Sequence, residues 1–218
     1  MKTLLIEART HGRVLVHETA AAPRGILIGF HGYMENAEIQ MARLESIPGS
    51  ENWTLVSVMA LNRFYRGRSQ DVVAGWMTRE DREAAIADNI DYVNRVVATT
   101  RSADTPIVFA GFSQGVAMAF RVAVRGKASG DGIISVGGDI PPELLADASL
   151  SFPPTLLARG EGDEWYTDAK LASDTAALTR RGMPPQTLIY KGGHEWTPEV
   201  SAAAAHFIET RILESRQP

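Results

Sequence analysis

The feature that most constrains the fold of this 218-residue chain is a regular alternation of short apolar runs with amphipathic stretches. The apolar runs predict strands at residues 4–8, 14–17, 25–30, 53–60, 106–110, 132–136, 155–158 and 187–190. The amphipathic stretches predict helices around residues 37–44, 86–97, 114–125 and 167–181, and from about Pro198 onward. Such alternation is typical of β-α-β units, and it predicts an α/β fold with a mostly parallel central sheet and helices on both faces.

Three further expectations concern how the chain is organised. Because no linker, repeat or low-complexity tract interrupts the alternation, we expect a single domain over residues 1–218. The strands at residues 4–8 and 14–17 are expected to form a hairpin through a turn near Gly12. Residues 61–79 show no clear periodicity and are expected to form a long loop, which in a compact domain is often functional.

Composition and charge exclude several classes of function. The net charge is −4 and no block of Lys or Arg occurs, so no electrostatic feature favours nucleic acid or an anionic membrane as partner. The absence of cysteine excludes a disulfide framework, a thiolate zinc site and a cysteine nucleophile. No apolar run approaches the ~18 residues of a membrane span or the ~7–15 of a secretory signal core. We therefore expect a cytoplasmic protein without stable membrane insertion.

A serine motif lies between a predicted strand and a predicted helix. Residues 111–115 read G-F-S-Q-G, which is the G-x-S-x-G pattern, and they follow the strand at 106–110 directly. In that context the serine lies on a tight turn with its hydroxyl exposed at the edge of the sheet. The flanking glycines lack the Cβ atoms that would crowd such a turn, and the start of the helix stabilises developing negative charge. Ser113 is therefore the predicted nucleophile.

A serine nucleophile needs a base and an orienting carboxylate, which in folds of this kind follow it in the order acid, then histidine. After Ser113 the sequence has two histidines, and we prefer His194, in a glycine-rich loop after the last strand, to His206, inside the final helix. The preferred acid is Asp163, in the loop that precedes the histidine-bearing strand. Asp139, in the loop after the strand at 132–136, remains an alternative.

Two backbone amides are expected to form an oxyanion hole. One is the N–H of Gln114, the residue after the nucleophile, and the other is the N–H of Tyr33, in the loop after an early strand. His31 heads that loop and is expected to hold it by hydrogen bonds. The region 61–79 also offers side chains that could line an apolar acyl pocket or could simply pack that region against the sheet; they are Phe64, Tyr65, Trp76 and Met77.

These motifs together resemble the carboxylesterase/phospholipase family of α/β-hydrolases, which includes acyl-protein thioesterases and small bacterial esterases. The resemblance covers almost the whole chain and rests on His31-Gly32, Trp76, residues 111–115, the G-D-E-W of residues 162–165 and the G-G-H-E of residues 192–195. It implies an α/β-hydrolase fold and the roles given above for Ser113, Asp163 and His194. It also implies hydrolysis of esters or thioesters with no metal and no organic cofactor.

Two departures from the family pattern concern specificity. Residues 31–35 read H-G-Y-M-E where the thioesterase branch often reads H-G-L-G-D, and Val116 replaces the last glycine of G-F-S-Q-G-G. The sequence therefore predicts a serine hydrolase for small-molecule carboxylic esters with short or medium acyl chains. Alternatives are a thioesterase or lysophospholipase with the same triad, a peptidase, lactonase or acyltransferase, and a non-catalytic relative that binds a small molecule. The oligomeric state is left open.

Overall fold

A computed structural model describes residues 1–19, 22–102 and 104–216. The described strands are β1 (Arg13–His17), β2 (Ile26–Phe30), β3 (Thr54–Met59), β4 (Asn62–Tyr65), β5 (Val72–Gly75), β6 (Ile107–Phe112), β7 (Gly132–Val136), β8 (Thr155–Gly160) and β9 (Gln186–Tyr190). The described α-helices are α1 (Ala37–Glu45), α2 (Arg82–Thr100), α3 (Gln114–Arg125), α4 (Pro142–Ala146), α5 (Asp168–Arg180) and α6 (Pro198–Phe207).

Seven of the described strands form one sheet in the order β1-β3-β2-β6-β7-β8-β9. Neighbouring strands from β3 to β9 pair in parallel, and β1 pairs antiparallel with β3 at the edge. The α/β fold with a mostly parallel sheet is therefore confirmed. Because the strands are parallel, the segments that follow β2, β6, β7, β8 and β9 all emerge at one edge of the sheet, where ligands of open α/β sheets bind.

Helices cover both faces of the sheet and create two apolar cores. One core is contacted by α2, α3 and α5, and the other by α1 and α6. Successive residues of a strand point to opposite faces, so β6 places Phe109 in the first core and Val108 in the second. None of the helices in the described ranges combines the length and apolar character that crossing a bilayer would require.

The predicted N-terminal hairpin is wrong. Residues 4–8 form no strand and are exposed, and β1 pairs with β3 instead of with an earlier strand. Gly12 makes no turn between two strands but packs against α2, where an added Cβ would lie 2.1 Å from the ring of Tyr92. The Tyr92 hydroxyl also donates to the Arg13 carbonyl at 2.9 Å, which fixes the start of β1 against the body of the protein.

Residues 61–79 are also more regular than predicted. They contain a two-stranded antiparallel hairpin, β4 and β5, and Glu35 makes an isolated bridge to Ala74 beside it. The strands are only four residues long, too short for a period to be visible in the sequence. At the other end of the chain, α6 begins at Pro198 as predicted and continues as a π-helical segment, Ile208–Leu213.

Candidate active site

Ser113 occupies the turn between β6 and α3 with a strained backbone. Its φ of 53° and ψ of −120° lie in a region that residues other than glycine rarely adopt. The Ser113 N–H donates to the carbonyl of Val136 at 2.9 Å, and the Ser113 carbonyl accepts from the N–H of Val116 at 3.0 Å. The neighbouring strand and the first turn of α3 therefore hold the strained residue in place.

The two glycines of the G-x-S-x-G motif are required by close backbone approaches. A Cβ on Gly111 would lie 2.6 Å from the backbone nitrogen of Val116, and a Cβ on Gly115 would lie 2.1 Å from the carbonyl oxygen of Phe30. Cβ atoms in proteins do not make non-bonded contacts this short, so both positions exclude any side chain. The motif thus lets α3 start directly against β2 and β6.

Asp163 and His194 form a hydrogen-bonded pair at the same edge of the sheet. His194 Nδ1 lies 2.8 Å from Asp163 Oδ2, and the Asp163 side chain is fully buried. The other carboxylate oxygen, Oδ1, accepts from the N–H groups of Trp165 at 2.8 Å and Tyr166 at 2.9 Å. These bonds orient the carboxylate so that it can hold the imidazole, whose side chain is 24% exposed.

Two consecutive glycines in the loop after β7, Gly137 and Gly138, lie between the Asp163–His194 pair and Ser113. A Cβ on Gly137 would lie 3.0 Å from His194 Cε1 and 3.3 Å from Asp163 Oδ2, whereas one on Gly138 would lie 2.5 Å from the Ser113 carbonyl oxygen. Gly137 also has a φ of 67°, which favours glycine. The histidine ring further packs against Phe112, with the ring centres 5.0 Å apart.

No hydrogen bond joins Ser113 Oγ to His194 within the described ranges. Such bonds are often long in unliganded enzymes and shorten when substrate is bound. Of the alternatives in the sequence, His206 is exposed on α6, and Asp139 pairs with Lys170 at 3.6 Å with its side chain 55% exposed. Asp139 makes no hydrogen bond to His194 among the described residues, so Asp163 is the carboxylate that the structure brings to this imidazole.

The two predicted oxyanion donors belong to elements that flank the serine. Gln114 is the first residue of α3, so its N–H has no carbonyl four residues earlier in the helix to bond. The N–H of Tyr33 donates no hydrogen bond within the parts of the chain that are described. Both amides are therefore available, and Tyr33 places its ring against Phe64 on the hairpin, with the centres 5.8 Å apart.

An ion pair that the sequence did not reveal supports the loop carrying Tyr33. Glu35 Oε2 accepts from the Gly32 N–H at 2.8 Å, and Arg43 donates to the two Glu35 oxygens at 2.6 and 2.7 Å. The Arg43 guanidinium also stacks over the Phe112 ring at 4.0 Å. Burial raises the pKa of Glu35, but the hydrogen bonds and charge of Arg43 outweigh it, and the net pKa lies below the usual value.

His31 has the structural role that the sequence predicted. It is fully buried, with Nδ1 2.6 Å from the Gly32 carbonyl, and its Nε2 accepts from the Ala60 N–H at 3.1 Å. These two contacts require the proton on Nδ1. Burial lowers the pKa of His31, so the ring stays neutral and keeps the loop after β2 joined to the end of β3.

The side chain of Gln114 joins the serine turn to the segment after β5. Its Oε1 accepts from the Trp76 N–H at 2.9 Å, and its Nε2 donates to the Met77 carbonyl at 3.1 Å. The Trp76 indole in turn donates to the His31 carbonyl at 2.8 Å. The glutamine after the serine therefore links two segments around the site, which explains why this position carries a side-chain amide.

The four predicted pocket residues have different positions. Trp76 is fully buried between Phe30 and His31 and packs the core, so its ring lines no pocket. Met77 lies in the wall of a groove that also contains Ser113. Phe64 packs on Tyr33, and Tyr65 is 62% exposed, so neither lines that groove. Only Met77 therefore lies where a substrate at Ser113 would reach it.

This groove, which we call the elbow groove, has a volume of about 470 Å³. It is lined by Met77, Thr78, Arg79, Arg82, Ser113, Gln114, Ala117, Arg121, Gly137, Gly138, Asp139, Trp165 and Lys170. Its basic residues were not singled out by the sequence, because they come from three helices and the segment before α2 and form no motif. No group of three or more His, Asp or Glu residues within the described ranges could hold a metal ion.

Solved structures of esterases are similar to this chain over most of its length. Esterase PE8 is 22% identical, with a TM-score of 0.74 over 92% of this chain and 98% of its own. Acyl-protein thioesterase 2 of Zea mays is 19% identical, with a TM-score of 0.72 over 93% of this chain and 100% of its own. A carboxylesterase from Mesorhizobium loti is 16% identical, with a TM-score of 0.69 over 91% and 94%. The chain has the α/β-hydrolase fold.

Within the α/β-hydrolase fold, Ser113 has the position of the nucleophile turn, between a central strand and the helix that follows it. Asp163 and His194 follow β8 and β9, in the chain order that this fold uses for acid and base. No protein-family model matches the sequence, and no curated protein matches it significantly. At these levels of identity the similarity to the solved structures is one of fold.

Proposed function

We propose that this protein is a serine hydrolase that cleaves carboxylic esters with short or medium acyl chains. The observation that carries the proposal is a strained serine on the turn between β6 and α3, close to His194, which is hydrogen-bonded to the buried carboxylate of Asp163. Neighbouring structures described as esterases and carboxylesterases support the same reaction class. In this proposal Ser113 is the nucleophile, His194 the general base and Asp163 the acid that orients it.

The first half-reaction transfers the acyl group to the enzyme. Ser113 Oγ attacks the ester carbonyl while His194 Nε2 takes the hydroxyl proton, and Asp163 stabilises the imidazolium through Nδ1. The amides of Gln114 and Tyr33 donate to the oxyanion of the tetrahedral intermediate. The carbon–oxygen bond to the alcohol then breaks, and His194 returns the proton to the leaving alcohol.

The second half-reaction releases the acid. Water attacks the acyl-enzyme as His194 takes one of its protons, and the bond between the carbonyl carbon and Ser113 Oγ breaks. His194 returns the proton to Ser113, so the enzyme is regenerated. The net reaction consumes one ester and one water, and it gives one alcohol and one carboxylic acid.

The principal test is a comparison of the wild type with Ser113→Ala. We expect the substitution to lower kcat for a short p-nitrophenyl ester by a factor on the order of 10⁴–10⁶, because the base then has no nucleophile to activate. A fluorophosphonate probe should label the wild type and leave Ser113→Ala unlabelled. Ser149→Ala, an exposed serine in the loop before β8, is the matched control and should resemble the wild type in both assays.

Two alternatives give different results in these assays. A binding protein with this fold would neither react with the probe nor hydrolyse esters, and hydrolysis by Ser113→Ala at the wild-type rate would contradict the proposed nucleophile. An acyl-protein thioesterase shares the fold, so a panel of oxygen esters, thioesters and lysophospholipids should be compared by kcat/KM. We expect oxygen esters to be preferred.

A further inference from the structure

The elbow groove contains more positive charge than a neutral ester requires. Four of the residues that line it are basic, and Asp139 is the single carboxylate among its described lining residues. Lys170 lies 3.6 Å from Asp139, so these two charges largely offset each other. Arg121 is likewise paired with Glu143, at 2.6 Å, so the remaining positive charge of the groove comes mainly from Arg79 and Arg82.

Arg121 is a fully buried guanidinium whose hydrogen bonding is incomplete. Its Nε and Nη2 atoms donate to the same oxygen of Glu143, at 2.8 and 2.6 Å. In the described part of the chain, its Nη1 has only the thioether sulfur of Met77 at 3.3 Å, which is a weak acceptor. Arg121 is therefore neutralised by Glu143 and has no exposed side-chain surface, so it supports the wall of the groove from behind Met77.

The two other arginines have weak partners or none. Arg79 is exposed and makes no ion pair with any residue in the described ranges. Among the described residues, Arg82 has only long ion-pair contacts, 3.9 Å to Glu83 and 4.0 Å to Glu143. Contacts of this length at a surface contribute little, so both guanidinium groups are available to bind a ligand in the groove.

We propose that the elbow groove binds a carboxylate group of the substrate, and that the preferred substrates are esters that carry this anion a few atoms from the scissile carbonyl. Half-esters of short dicarboxylic acids are the simplest members of this class. Arginine matches a carboxylate with two parallel hydrogen bonds, and the positive field raises the rate of encounter with an anion. Met77, Ala117 and Trp165 supply apolar surface for the short carbon chain. This inference rests on the proposed ester hydrolysis, because it names the substrate class of the same site.

The test compares esters that have the same shape but differ in charge. Monomethyl succinate, with the anion on the acyl side, is paired with methyl 4-methylpentanoate. Acetoxyacetate, with the anion on the alcohol side, is paired with isobutyl acetate. Acid release near neutral pH gives kcat/KM for each, and we expect the anionic ester to exceed its neutral partner by roughly fivefold or more in at least one pair. The pair that shows the preference identifies the side of the ester on which the anion binds.

Substitutions in the groove locate the effect. Arg79→Gln and Arg82→Gln are each expected to lower the ratio of anionic to neutral kcat/KM by about three- to fivefold, and the double variant by more. Arg95→Gln is the matched control, because Arg95 lies on α2 like Arg82 but pairs with Asp91 on the exposed face of the helix. It should leave the ratio unchanged. The wild-type preference should also fall in about 0.5 M salt, which screens charges more than ~5 Å apart.

The outcomes separate this inference from the proposed function. Hydrolysis of the neutral esters without preference for their anionic partners, or a preference unaffected by Arg79→Gln and Arg82→Gln, would overturn the inference and leave ester hydrolysis intact. If the wild type hydrolyses no ester of either pair and does not react with the fluorophosphonate probe, the proposed function itself fails, and the substrate class fails with it.

Discussion

At the scale of single residues, the proposed chemistry depends on which carboxylate faces the histidine. Asp163 accepts three hydrogen bonds, and one of them comes from the imidazole of His194 if Nδ1 carries the proton. Asp139 instead faces solvent and Lys170. The sequence could place both residues at the correct edge of the sheet. It could not choose between them firmly, because the choice depends on loop conformations that have no periodic pattern.

Replacing Asp163 by Asn should impair catalysis far more than the same change at Asp139. The amide can present its N–H₂ to His194 Nδ1, which favours the wrong imidazole tautomer, and we expect kcat for a neutral ester to fall on the order of 10⁴-fold. Asp139→Asn should remain within about tenfold of the wild type, since only a surface ion pair is lost. Equal losses in the two variants, measured with p-nitrophenyl butyrate, would contradict the assignment.

Glu35 binds both the Gly32 amide and the guanidinium of Arg43. Glu35→Gln keeps an acceptor for the amide but removes the charge that pairs with Arg43, so we expect the free energy of unfolding to fall by about 1–3 kcal/mol at pH 7. We also expect kcat to fall about tenfold or more, because the loop that carries the Tyr33 donor loosens. Chemical denaturation and steady-state kinetics measure the two effects.

The loss of unfolding free energy in Glu35→Gln should depend on pH in a defined direction. The pKa of Glu35 in the folded protein lies below its usual value of 4.5, so the stability that it contributes is present above that value and is lost as pH falls through the folded pKa. The difference in unfolding free energy between the wild type and Glu35→Gln should therefore be largest near neutral pH and narrow in acid. A difference that grows as pH falls would contradict this role for Glu35.

At the scale of elements, the sequence predicted the strands and helices correctly where their residues are buried. The predicted helix at 114–125 and strand at 132–136 match α3 and β7, because apolar side chains there pack on both sides and leave a strong pattern. The failures occur where burial is partial. The exposed residues 4–8 looked like a strand from their composition, and the four-residue strands β4 and β5 were too short to show alternation.

One contact between elements should respond to pH. Asp174 of α5 is buried, and its Oδ2 accepts from the Tyr166 hydroxyl at 3.0 Å and from the Ile140 N–H at 3.2 Å. Burial raises the pKa of Asp174 to about 6, despite the opposing hydrogen bonds. This contact joins α5 to the loop after β7, whose glycines lie beside Ser113.

Because the folded pKa of Asp174 is raised, its contribution to stability is complete below the unfolded value of 3.8 and is lost as pH rises through about 6. As pH rises from 3.8 to above about 6, ionisation of Asp174 alone should lower the unfolding free energy by up to about 3 kcal/mol. Asp174→Asn should remove this part of the pH dependence, as measured by denaturation at a series of pH values. A variant with the same pH profile as the wild type would contradict the assignment.

At the scale of the whole molecule, two apolar cores share one sheet, and each strand of its centre contributes residues to both. The sequence predicted a single domain, and that prediction has a thermodynamic consequence. If the shared strands couple the two cores, loss of packing on one face destabilises the other face by the same amount, and the chain unfolds in one cooperative transition.

Phe207→Ala tests this coupling. Phe207 is buried where α6 packs against the second core, so its truncation should cost about 3–5 kcal/mol. We expect helix content from circular dichroism and tryptophan fluorescence, to which Trp76 in the first core and Trp53 in the second contribute, each to show one transition at lower denaturant. Ile189→Ala, at a position on β9 that is 53% exposed, is the control and should change stability by no more than about 0.5 kcal/mol. Two resolved transitions in either signal for Phe207→Ala would show that the faces unfold independently, and the single-domain prediction would then be wrong.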